Sequence, residues 1–360
     1  MFHQEQIEAF PVSYGMKILY LSRSKLNHSV NAVYIKGMRA NNVDVRELFV
    51  NRNEYFDLIK YLFKFRSSFD VIFVGYNSPN LVCLAKLFSN RKIVYNALCS
   101  VYERMIISRA LSPRFSVKAV YYWLSDLLAV HSADLVMVET GEQARYFKKL
   151  FFLPKNKIFK ARTGVEDDMF YCSIPDIEKF PVFTAVFRGQ FLPESGVEYV
   201  IKAAKILENE NMNFIIHGGG HNVNKIKNLT EELKPKNLKF MTDFLSMDEL
   251  RTLMQKCHLS VGQLSDHSRL ERTIPHKCYE SLAMKLPYIT AANRGVLELL
   301  KDGETCITCK PADAKSLAEK ILWAKNNPSE LGRIAENGFR LYDNNLRSDI
   351  LAKNLLDRLI

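Results

Sequence analysis

No stretch of 18 apolar residues occurs anywhere in the 360, so no segment is expected to cross a bilayer as a helix. The opening residues, MFHQEQIEAFPVSYGMKILYLS, lack a basic region followed by a long apolar core, so no secretion signal is expected. Cysteine is sparse and odd in number, at seven. Cys306 and Cys309 are close, but no second pair exists to complete four metal ligands, and reduced thiols are the expectation. No dinucleotide fingerprint of G-x-G-x-x-G spacing is present, no repeat of 20–50 residues and no low-complexity tract.

What is present fits an ordinary folded protein, with 48% hydrophobic and 25% charged residues. The net charge of +11 is uneven. Residues 1–170 hold 24 Lys and Arg against 15 Asp and Glu, a net +9, whereas residues 171–360 carry only +2. A positive field favours an anionic partner: a phosphate-bearing substrate, an acidic lipid surface or nucleic acid. No nucleic-acid recognition motif is present, so no nucleic-acid partner is expected.

After a tail over residues 1–15, short apolar runs at 17–22, 43–50, 70–76, 92–98, 134–140 and 157–163 alternate with helical patterns, the longest over about 101–130. Residues 164–181 are acidic, aperiodic and contain two prolines, as a linker would. The alternation then restarts, with strands at 183–189, 213–219, 238–244, 259–264, 287–291 and 306–310, closing on helices near 313–326 and 329–357. Apolar strands separated by helices mean buried parallel sheets with right-handed crossovers. The expected fold is α/β, with two Rossmann-like doubly wound domains facing a cleft: 16–168, a linker at 169–181, and 182–340, with 341–360 as a helix packing back on the first domain. Ligands of such sheets bind beyond the C-terminal strand ends.

Three stretches could carry chemistry there. In FRGQFLPESG (187–196), Arg188 and Gly189 end a strand and Gly196 opens a helix. A helix start and a guanidinium suit a phosphate; a plain turn with a surface charge is the alternative. In FIIHGGGHN (214–222), Gly218 and Gly219 let backbone approach a ligand or simply turn, and His217 and His221 read as turn residues. In TIPHKCYESLAMKLPYIT (273–290), Thr273 can cap a helix and Pro275 suits its first turn. Amides around Ile274 to Lys277 would then face the cleft. The Lys277 ammonium would meet a diphosphate, and Glu280, one turn on, the hydroxyls of a ribose. The alternative is an i,i+3 ion pair on a solvated face, worth about 0.2–0.5 kcal/mol.

Strand–R-G–x6–G–helix, G-G-G after the next strand, and I-P-x-K-x-x-E-x-L-A-x-x-x-P-x-I-T together resemble the C-terminal half of family 4 glycosyltransferases of the two-Rossmann (GT-B) architecture. FDVIFVGY, SADLVMVET and IFKARTGVEDDMF are similar to that family's first-domain strands and domain crossing. The resemblance implies a retaining, metal-independent transfer of sugar from a nucleotide-diphosphate sugar to a saccharide or lipid-linked acceptor, in cell-envelope or surface polysaccharide biosynthesis, with no cofactor. The absence of any Asp-x-Asp pair suits such a site. By position it implies Glu280 on the donor ribose, Arg188 and Gly189 at the donor phosphates, Thr242 to Phe244 at the base, and Asn27, His28 and Ser29 on the acceptor side; Gly218, Gly219, Thr273, Ile274 and Lys277 join the donor site on the reading given above. Lys277 and Arg188 would stabilise the leaving phosphate.

Several positions depart from the family pattern. Arg272 stands where the first carboxylate of Glu-x7-Glu is expected, with Glu271 one place off. Ser195 replaces the phosphate lysine, Gln190 an arginine, and Asn96-Ala97 a His-Asp pair. These changes keep two other readings open: a nucleotide-sugar-binding subunit of reduced catalysis, and a GT-B nucleotide-sugar epimerase, though the acid and base constellation of the latter is missing. The basic, aromatic stretch 99–128 is either an interfacial segment for an anionic membrane or a buried helix with solvated cations. A cytoplasmic protein, peripheral on the inner membrane face, is the expected setting.

Overall fold

The computed structural model describes residues 15–27, 29–172, 177–220 and 222–360; the tail up to residue 14, His28 and His221 lie outside them. Every apolar run expected to be a strand is one. In the first half, β1 (Lys17–Ser22), β2 (Asp44–Phe49), β3 (Val71–Val74), β4 (Lys92–Leu98), β5 (Leu135–Val138) and β6 (Ile158–Lys160) alternate with α1 (Ser29–Ala40), α2 (Tyr55–Lys64), α3 (Pro79–Phe88), α4 (Val117–Ser132) and α5 (Gly141–Phe151). In the second, β7 (Phe183–Gln190), β8 (Met212–Gly219), β9 (Leu238–Met241), β10 (Leu259–Val261), β11 (Tyr288–Ala291) and β12 (Ile307–Cys309) alternate with α6 (Val197–Ile206), α7 (Val223–Leu233), α8 (Met247–Lys256), α9 (His276–Ala283) and α10 (Arg294–Leu297). The chain closes on α11 (Ala314–Asn326), α12 (Pro328–Asn345) and α13 (Ser348–Leu359).

The strands form two parallel six-stranded sheets, ordered β2-β1-β3-β4-β5-β6 and β12-β11-β10-β7-β8-β9. Strands such as β3, β5 and β11 are buried at every position, because helices cover both faces of each sheet. In the first sheet the winding reverses between β1 and β3; in the second, between β7 and β10. Those reversals open crevices at the C-terminal strand ends.

Two helical expectations change. The long helix over 101–130 is broken into a π-helical turn, Glu103–Ser108, an irregular stretch and α4. The buried Asp126 carboxylate accepts the amides of Val101 (3.1 Å) and Tyr102 (2.8 Å), which fixes the chain across α4 instead of along it. Burial pushes Asp126 up to about 7. Pro113, which does not suit a helix interior, lies in the irregular stretch, and Ser116 starts a new helix by accepting the Ala119 amide. The expected helix over 329–357 is likewise two helices. The crossing residue Asp167 sits at the break, accepting from the Ser348 hydroxyl (2.6 Å) and the Tyr342 hydroxyl (2.8 Å).

α13 then lies against α1. The approach is close because Gly37 has no side chain: a Cβ there would stand 1.9 Å from the Ser348 carbonyl oxygen. Gly37→Ala is therefore expected to cost about 1–3 kcal/mol through overpacking, read as a lower midpoint in thermal unfolding. An unchanged midpoint would contradict this packing.

Candidate functional site

At the reversal of the second sheet, Arg188 and Gly189 end β7, and α9 brings in Lys277 and Glu280. Arg188 and Glu280 form an ion pair, both mostly buried, and the Phe170 ring of the crossing segment lies 5.2 Å from the guanidinium. Burial pushes Arg188 down to about 10. Lys277 is only 7% exposed. Its aliphatic chain packs against Gly189, where a Cβ would stand 3.0 Å from Cε. Its ammonium lies 3.5 Å from the centre of the Phe187 ring and has no hydrogen-bond partner among the described residues. Burial, reinforced by the Arg188 charge, holds the Lys277 ammonium well below its ordinary pKa, with Glu194 pulling the other way. The i,i+3 pair between Lys277 and Glu280 is therefore not what their spacing encodes: the carboxylate goes to Arg188 and the ammonium is left over. Next to this cluster the β7 and β8 ends touch through glycine. Gly218 has φ +149°, and a Cβ on it would stand 1.9 Å from the Gly189 carbonyl oxygen. Gly219 has open space instead.

The start of α9 differs from expectation. Pro275 is its N-cap, and the Thr273 hydroxyl donates to the Arg269 carbonyl (3.2 Å) rather than capping. The Ile274 amide, expected to face a ligand, donates to Glu139 of the first domain (2.9 Å). Glu139 follows β5 and also accepts from the hydroxyls of Thr163 (2.6 Å) and Tyr279 (2.9 Å). A buried carboxylate with three donors outcompetes any role for that amide in the cleft. Of that helix start, Lys277 is the residue the structure places beside the Arg188–Glu280 cluster.

Further contacts join the domains around α9, and sequence reasoning missed them. Arg272 donates from Nε and Nη2 to Glu103 (3.0 and 2.7 Å), a fully buried residue whose other oxygen accepts from Gln143 (2.8 Å). Glu194, in the loop after β7, accepts from Arg269 (2.6 Å) and from Ser108 of the π-helical turn (2.8 Å). Burial opposes the Glu194 carboxylate, but Arg269 and its other donors outweigh it and hold its pKa below the usual range. Glu298 caps α5, accepting the amides of Gly141 (2.7 Å) and Glu142 (2.8 Å). The one local signal was a carboxylate directly after an apolar strand, in VMVET.

The remaining expected site residues are more peripheral. Gln190 is exposed, and Ser195 is buried, stapling its loop by donating to the Gln190 carbonyl (2.7 Å). Neither supplies the cation that the family pattern has there. Thr242 and Phe244 follow β9; Phe244 is 93% exposed, and their loop is tied to β8 by His217 Nε2 and the Asp243 carbonyl (2.9 Å). Asn27 is exposed on the rim of a separate groove that includes Lys36, Glu47 and Glu166. His28 lies outside the described residues, and Ser29 begins α1.

Residues 178–341 match the family model described as Glycosyl transferases group 1. The uncharacterized glycosyltransferase MJ1607 of Methanocaldococcus jannaschii is 24% identical over 203 residues, which span 56% of this chain and 45% of that protein. Anabaena Alr3699/HepE, solved in complex with UDP-glucose, superposes with a TM-score of 0.72 at 17% identity, over 96% of this chain and 99% of that one. Sucrose-phosphate synthase from Thermosynechococcus elongatus superposes with a TM-score of 0.70 at 13% identity, over 94% and 97%. At such identities the likeness is one of fold, and that fold is GT-B.

A lysine whose folded pKa is depressed destabilises the fold fully below that pKa, and the cost fades as pH rises toward its unfolded value. Lys277→Met, whose thioether can pack on the Phe187 ring, is thus expected to raise the thermal midpoint of the unliganded protein at neutral pH. The gain should shrink as pH approaches about 10.4. A lower midpoint for the variant at neutral pH would contradict the isolated-ammonium geometry.

Proposed function

We propose that this chain, a GT-B protein whose residues 178–341 form a glycosyl transferases group 1 domain, moves a sugar from a nucleotide-diphosphate sugar to a saccharide or lipid-linked acceptor. The observation that carries this reading is the buried Lys277 ammonium, lacking a hydrogen-bond partner, beside the Arg188–Glu280 pair at the sheet's reversal. A cation so placed lacks only an anion. A diphosphate would fill that role, entering between the β7 end and the start of α9. HepE was solved with UDP-glucose, and a uridine-type donor is the first to test here.

In this reading Glu280 accepts from the ribose hydroxyls, Phe244 and the neighbouring Thr242 border the base, and Gly189 and Gly218 leave the diphosphate room. Cleavage of the sugar–phosphate bond places negative charge on the departing diphosphate. Lys277 and Arg188 are fixed where that charge grows, so they stabilise the transition state more than the ground state. The reaction runs with retention at the anomeric carbon and needs no metal, the leaving phosphate helping to take the acceptor's proton. The acceptor enters from the first domain, near Asn27 and Ser29. Work on a family 4 type of acceptor in the cell envelope, at the cytoplasmic face of a membrane, completes the proposal.

A second reading has its own support. Gln190, Ser195 and Arg272 remove two cations and a carboxylate from the family pattern, and Arg272 is occupied by Glu103. That suits a subunit that binds nucleotide-sugar without turning it over.

Release of nucleoside diphosphate from a panel of nucleotide-sugars and acceptors separates the two. Transfer by the natural protein, with kcat lowered about 100- to 1,000-fold in Lys277→Met, is the expected outcome. Donor binding with no turnover on any acceptor would favour the binding subunit.

A further inference from the structure

The segment between the cleft and α4 has an outer face that the fold does not use. On α4, Val117, Val120, Tyr121, Leu124 and Leu128 are all exposed and recur at helical spacing, so they form one stripe. The opposite side of the same helix, with Ala119, Asp126, Ala129 and Val130, is buried. Phe115, just before the helix, is 98% exposed. Arg109, Arg114 and Lys118 are exposed around it and make no ion pair among the described residues. The same layer of the first domain carries, on α2, the exposed Phe56 with Lys60 4.3 Å from its ring centre, and the exposed Phe63.

We propose that the outer face of α4 and the loop before it dock on an anionic lipid bilayer, and that the acceptor is the head of a lipid in that bilayer; this rests on the transferase reading above. An apolar helical stripe rimmed by cations is the composition of a helix lying in a membrane interface. The net +9 of residues 1–170 complements acidic headgroups, and each cation near such a surface adds to the attraction. The position relative to the cleft fits as well. Ser108 touches Glu194 of the donor-side loop at 2.8 Å. The chain from Ser108 to Phe115 spans at most about 25 Å, so the bilayer would lie within reach of the cleft mouth. A lipid-borne acceptor would then meet the donor without leaving the membrane.

The test is co-sedimentation of the full chain with vesicles of phosphatidylcholine alone and of equal parts phosphatidylcholine and phosphatidylglycerol, at low and high salt. Binding to the anionic vesicles that weakens with salt is expected. It should fall at least about tenfold in Phe115→Ser/Val117→Ser and in Arg109→Ser/Arg114→Ser/Lys118→Ser. These side chains are exposed, so the thermal midpoint and any donor-induced shift should stay as in the natural protein. No binding to anionic vesicles at low salt, equal binding to neutral ones, or binding unaffected by either variant would overturn the proposal; a chain that self-associates through this face and ignores vesicles overturns it too. A natural protein that turns over donor yet binds no anionic vesicles removes the docking surface and leaves the transferase reading standing. Vesicle binding that depends on these residues, in a chain that takes no nucleotide-sugar, supports the surface and removes the transferase reading.

Discussion

An ammonium buried against a phenyl ring, and opposed by the charge of a neighbouring guanidinium, raises the free energy of the fold that holds it. Lys277 is in that position, and the surrounding structure makes it hard to escape. Its chain is wedged against Gly189, its head lies over the Phe187 ring, and the carboxylate one turn further along α9 is paired with Arg188. Buried charges are ordinarily paired. Under the proposed function, this buried charge at the crevice that a doubly wound sheet opens is a site prepared for an anion, with stability given up for binding.

The helix that presents Lys277 and Glu280 belongs to the second domain, yet its start is held by the first. Glu139 takes the Ile274 amide and the Tyr279 hydroxyl, while Arg272 and Arg269 reach Glu103 and Cys99. Most of these groups are buried, and each buried polar atom that is satisfied across the boundary would be stranded if the domains parted. The geometry of the α9 start, and with it the placing of Lys277 and Glu280, is thus coupled to contact between the domains. Arg272, at a position where the family pattern has a carboxylate, takes part in that coupling rather than in holding a sugar.

Strand positions were legible because parallel strands buried on both faces are written as unbroken apolar runs such as VIFV and LVMV. Lys277, Glu280 and Arg188 were legible because local motifs carry them. Their pairing was not: spacing on a helix says which residues share a face, and only the sheet topology brings Arg188 to Glu280. Glu103 and Arg272 are 169 positions apart, and nothing local in either stretch announces the other. The π-helical turn at 103–108 escaped for a related reason: the amides of Val101 and Tyr102 that lead into it are held by Asp126, 25 and 24 positions further along the chain. The assumption that Thr273 caps α9 failed because the helix starts later than the local pattern suggests: Pro275 is the N-cap, and Thr273 lies two residues before it with its hydroxyl on the Arg269 carbonyl.

The central claim is that a diphosphate completes the pairing of Lys277. Binding an anion there must raise the lysine's pKa, and it draws a proton from solution wherever the pH lies between the free and bound values. UDP-glucose suits the test, because its diphosphate has no proton to exchange near neutral pH. Calorimetric titration in buffers of different ionisation enthalpy reads the proton count directly. Uptake of protons on binding at a pH between the lysine's free and bound values, found in a series across neutrality and abolished in Lys277→Met, is the expected result; binding with no uptake at any pH of the series, or with the same uptake in the variant, would contradict the account.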